Sequence, residues 1–224
     1  MKLLNLESGQ SAQLFAADEV YPREGIYFPN LVQELKERYG FVVAPDIGDA
    51  IGTGHGLKFL HGRLIRSDTI NILSLQLFND GVIVTCLDTE AADVVLDDVI
   101  LLAKSSFKFR EPQTIQPRRY VSTVVVSFEK DIDSLVRGFE SVSENFARAL
   151  AKCSNIKANI HVGRIAFRAD PLLHLPHTNT DLLIERRVGR PFADNVYYSG
   201  APLTSKAHLE LLERIEDIAA NQPG

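Results

Sequence analysis

Two apolar, β-favouring runs, residues 70–78 and 82–87, stand on either side of Asn79-Asp80-Gly81. That separator predicts a hairpin turn, because glycine takes positive φ without a Cβ clash and Asn and Asp tolerate it. Asp88 or Thr89 then offers a side-chain oxygen to cap a helix in which Ala92, Val95, Val99, Leu102 and Ala103 recur at helical spacing. Glu90, Asp93 and Asp97 fall on the opposite, water-facing side. Residues 69–104 therefore read as a β-hairpin feeding a helix that lies back on its sheet.

Upstream, residues 1–56 are less regular. Residues 1–6 suit an edge strand, and 21–25 a turn. A short helix opens at Asn30, with Gln33 placed to reach back in a capping box, Leu31, Leu35 and Tyr39 as its buried stripe and Gly40 as its end. Residues 41–44 and 57–66 are strands. Between them, 47–56 holds Gly52, Gly54 and Gly56, but a strand follows where a phosphate-binding loop needs a helix, so a loop is expected there.

Downstream, 105–119 is a basic, proline-interrupted connection that can pair with the acidic helix before it. Residues 120–128 form a strand. Asp131 or Asp133 caps a helix whose Leu135, Phe139, Val142, Phe146 and Leu150 recur every three or four residues. That stripe predicts Phe139 and Phe146 in the core. Residues 156–168 alternate, with a change of parity at Gly163 that predicts a β-bulge within one long strand. After a loop at 170–180 comes a last strand at 181–188, an irregular stretch at 189–202 and a terminal helix over 205–220. This helix shows Leu211, Leu212, Ile215 and Ile218 on one side, a face it can bury on its own sheet or lend to a neighbouring subunit.

The order of elements predicts a single α+β domain over residues 1–224, with a mixed or mainly antiparallel sheet, helices mostly on one face and a ferredoxin-like split in part. Composition adds little: 45% hydrophobic and 24% charged residues describe an ordinary globular chain. A net charge of −5 makes nucleic acid an improbable partner. Cys86 and Cys153 fit no metal or redox spacing and are expected as buried free thiols in a reducing compartment. No run has the length or apolarity of a signal peptide or a membrane span, so a cytoplasmic protein without membrane contact is expected.

Catalytic signatures are lacking, and three constellations remain, of which the lone pair His55 and His61, with no nucleophile or orienting acid identified, makes a poor catalytic case. Asp170, His174, His177 and Asp181 offer imidazole and carboxylate ligands for a divalent metal, which would make a metal-dependent hydrolase. Two prolines in that loop deny it a helix to fix the histidines on one face. Arg186, Arg187 and Arg190 precede Tyr197 and Tyr198, a set suited to holding a protein partner or, as a nucleotide- or nucleic-acid-binding module, to gripping phosphate and stacking bases. The preferred expectation is a non-catalytic protein acting through protein–protein contact, as a homo-oligomer or a subunit of a larger assembly, with no cofactor.

Overall fold

The computed structural model describes residues 1–45, 56–112, 116–130, 132–154, 157–168 and 181–221. The elements are β1 (Lys2–Leu14), the single turn α1 (Ala17–Val20), α2 (Phe28–Tyr39), β2 (Leu57–Ile65), β3 (Thr69–Phe78), β4 (Gly81–Cys86) and α3 (Thr89–Phe107). They continue with β5 (Arg119–Ser127), a 3-10 segment (Ile132–Phe139) running into α4 (Glu140–Ser154), β6 (Arg164–Phe167), β7 (Leu182–Arg186), β8 (Val196–Ala201) and α5 (Ser205–Ala220). The fold is α+β. Its strands take the order β2-β3-β4-β1-β5-β8-β7-β6 in an antiparallel sheet. The chain divides into two compact units, one of Leu6–Ser122 with Pro202–Ser205, the other of Met1–Asn5, Thr123–Ala201 and Lys206–Gly224.

In the first unit the hairpin forms as its sequence dictates, with Phe78 paired to Gly81 and Leu77 to Val82. Gly81 is needed for a reason other than a positive φ: a Cβ there would lie 2.7 Å from Leu14 Cδ2 and 3.0 Å from the Gln13 carbonyl. Asp88 caps α3 by accepting from the Ala91 amide at 2.7 Å. The α3 stripe of Ala92, Val95, Leu96, Val99 and Leu102 packs on Phe59, Leu75 and Val84 of the sheet and on Leu31, Leu35 and Tyr39 of α2. α2 begins at Phe28, ahead of Asn30, because Pro29 suits a first turn that needs no amide donor. Gln33 bonds Glu37 instead of the helix start.

β1 corrects the expected edge strand. It runs to Leu14 and lies between β4 and β5, since residues 9–14 pair with β4. Its inner positions are small and polar, which hides them from a hydrophobic pattern: buried Ser11 donates to Asp93 Oδ1 at 2.5 Å. At Gly9 an added Cβ would come within 2.1 Å of the Asp88 carbonyl carbon and 2.2 Å of the Thr89 nitrogen, so glycine lets the start of α3 cross directly over the strand. In β2, His61 takes φ 56°, and the apolar parity shifts there from Leu57 and Phe59 to Leu64 while all three join one core. The acidic and basic blocks do pair: Arg118 bonds Asp93 and Asp97, and Lys104 bonds Glu111 at 2.8 Å.

In the second unit Val124, Val126, Phe128, Ile132, Ile184 and Leu212 are among the buried apolar residues. The stretch expected to be irregular contains β8, where Tyr197, Ser199 and Ala201 alternate inward. The expected bulge at Gly163 is corrected, because strand pairing starts only after it, at Arg164, and the Gly163 carbonyl takes one bond from the Arg186 amide at 2.9 Å. α4 holds the largest departure. Phe139, Val142 and Phe146 are 58, 58 and 56% exposed, and no residue of α4 is buried. The half-covered side of that helix is instead Ser143, Ala147, Leu150 and Ala151, of small residues chiefly. α5 buries His208, Leu212, Ile215 and Ala219 within its own chain and leaves Ile218 outside. Cys86 is buried and its thiol pushed up to about 12 by that burial, whereas Cys153 is exposed. No helix among the described residues is long and apolar enough to cross a membrane.

Candidate functional site

Of the residues expected to bind metal, Asp170, His174 and His177 lie outside the described residues, as do His55 and the glycine-rich stretch 46–55. Asp181 precedes β7 and is engaged with Arg168, whose Nε and Nη2 donate to its carboxylate at 2.9 and 2.6 Å. Those bonds hold the Asp181 carboxyl below its usual range. Among the described residues no group of three or more His, Cys, Asp and Glu is placed to hold a metal.

The residues expected at a partner surface separate into two sets. Strand alternation puts Arg186 inside and Arg187 outside. Arg186 donates to Asp133 Oδ2 at 2.5 Å and to the Phe192 carbonyl at 2.9 Å. Its guanidinium carbon lies 4.5 Å from the Phe192 ring centre and 5.0 Å from that of Tyr197. Buried Tyr197 adds a hydroxyl contact to Asp133 at 3.4 Å. Arginine, aromatics and carboxylate thus form one internal assembly, in which only the Nε of Arg186 lacks a partner among the described residues. Arg187 and Arg190 are exposed and Tyr198 is half-buried, so these three are the members on the surface.

Two polar clusters had no signal in the sequence. Asp98 of α3 is buried and accepts from Arg38 Nε and Nη2 at 2.8 and 2.9 Å, from Arg66 Nη2 at 2.8 Å and from Tyr39 Oη at 2.7 Å. Burial works against its ionisation, but these bonds outweigh it and hold the carboxyl well below the usual range. Every lone pair is committed, so Asp98 is an anchor for α2 and β2 and has no spare basicity for chemistry. The second cluster is Ser199 and His208, with Oγ and Nε2 2.9 Å apart. It resembles a nucleophile and its base. However, both are fully buried, and the Ser199 hydroxyl donates to the Leu183 carbonyl at 2.7 Å, which leaves the imidazole as donor. Burial lowers the His208 pKa to about 4.

A feature able to admit a ligand is a cavity of about 830 Å³ in the first unit. It lies between the sheet and the helices, with Leu14, Leu31, Leu57, Leu77 and Val99 on its walls. Its polar lining includes Gln13, Tyr21, Lys104 and Arg110. The volume is in the range of small-molecule sites, and the composition, mostly apolar with a few polar groups, is typical of them. Segments from 13–35, 56–57, 77–82 and 99–112 meet in it, which is why no local pattern announces it. The chain matches no protein-family model, and a search of curated proteins returned no match.

Proposed function

We propose that this protein is non-catalytic and works through protein–protein contact, with a second copy of the chain as partner and the exposed face of α4 as the contact. The supporting observation is the solvent exposure of Phe139, the last residue of the 3-10 segment that runs into α4, and of Val142 and Phe146 on α4 itself, continued by exposed Ala149 and Cys153. Their alternating three- and four-residue spacing makes a seam of the kind that helices use to pack on each other. Burying each phenylalanine against a partner would contribute about 1.5–3 kcal/mol. Glu140 and Glu144 occupy the first half of α4 and Arg148 and Lys152 the second. An antiparallel pair brings unlike halves together, whereas a parallel pair would align like charges. α5, the other candidate for assembly, spends its apolar face inside its own chain.

Light scattering on the purified chain tests this. A dimer mass at micromolar concentration, reduced to a monomer by Phe146→Asp with the melting temperature unchanged, is the expected result. A monomeric wild-type chain overturns the proposal.

A further inference from the structure

The cavity of the first unit carries a second, independent inference. Two donors on its lining are uncommitted. Arg110 donates through Nε and Nη2 to the carbonyls of Asp18 and Tyr21, at 2.6–3.0 Å, so among the described residues its Nη1 is unused and it forms no salt bridge, while Asp80 and Glu111 line the same space. The Tyr21 hydroxyl has no hydrogen-bond partner among the described residues, and burial and the nearby Asp80 raise its pKa, keeping it a donor. Lys104 is already paired with Glu111. Tyr21 is held in place by edge-on contact with the Phe109 ring, at 5.3 Å between centres. A guanidinium and a phenol at the rim of an apolar chamber call for a ligand with one acidic oxygen head and a long apolar body.

The geometry points to a binding site for a linear amphiphile with an acidic head, such as a long-chain monocarboxylate. The chain lies along Leu14, Leu31, Leu57, Leu77 and Val99. The carboxylate takes the free N–H of Arg110 and the hydroxyl of Tyr21. Ala103 lines the same space from α3, so a larger side chain there fills the volume the ligand needs.

The test uses the full chain and a dansylated undecanoate as fluorescent probe. Saturable binding is expected, displaced by laurate and about tenfold less well by methyl laurate, which lacks the charge. Ala103→Phe should abolish binding, and Arg110→Gln should bring laurate and its ester to equal strength. Laurate should also raise the melting temperature of the wild-type chain, a readout that holds even if a variant fails to fold. Absence of saturable binding, equal displacement by acid and ester, or unimpaired binding to folded Ala103→Phe overturns the inference.

Discussion

At residue scale the most telling group is His208, a neutral imidazole that folding removes from water. Its folded pKa of about 4 lies below the ordinary value of 6.5. Between those values the unfolded chain takes up a proton that the folded chain refuses, so stability must fall as the solution is acidified through that window. The full effect is about 3 kcal/mol, fully present above the unfolded pKa. Melting curves at neutral and acidic pH should show it, and His208→Gln should flatten the profile there. Gly9 makes a second case, because the start of α3 occupies the place of its missing Cβ. Gly9→Ala should cost about 3 kcal/mol or more in denaturant unfolding, since backbone and not a side chain would have to move. Gly138→Ala, with nothing within 4 Å, is the control and should be close to neutral. Ser205 and Thr89 exchange bonds, each amide donating to the other's hydroxyl at 3.0 and 2.7 Å. Ser205→Ala would strand the buried Thr89 amide, at a cost of about 1–3 kcal/mol.

At the scale of elements, α4 and α5 have the same kind of apolar stripe and opposite fates. Phe139→Ala and Phe146→Ala should therefore each change monomer stability by no more than about 0.5 kcal/mol. Leu212→Ala, in a fully buried site, should cost about 2–5 kcal/mol. Chemical denaturation of the three variants under dilute conditions checks both. The comparison shows where sequence is legible. Periodicity reports that a helix has an apolar side, but what that side meets is decided by segments far away in the chain. The β3–β4 hairpin and α3 were readable because turn, cap and stripe all lie within one stretch. β1 and β8 were not, because Ser11 and Ser199 fill inner positions and are satisfied by Asp93 and His208 from other elements. Of the candidate sites, the Arg186 cluster is visible as composition, but its internal character rests on Asp133 and Tyr197, which come from other elements. The cavity had no local signature at all.

At the scale of the whole molecule, each unit should behave as its own unit of stability. Hydrogen exchange on Leu212→Asp tests this: β7 and β8 should lose protection while β2, β3 and β4 keep theirs. Uniform loss throughout would mean that the chain opens as one body. The division also has a temporal side. Most of the first unit is one contiguous stretch, Leu6–Ser122, and can condense soon after it leaves the ribosome. Met1–Asn5 belongs with segments that are translated much later, up to the last helix. Residues 1–5 are thus made before the stretch at 6–122 yet find their place after it, and until then they trail as an unpaired strand end, open to capture by another nascent chain or by a holding chaperone.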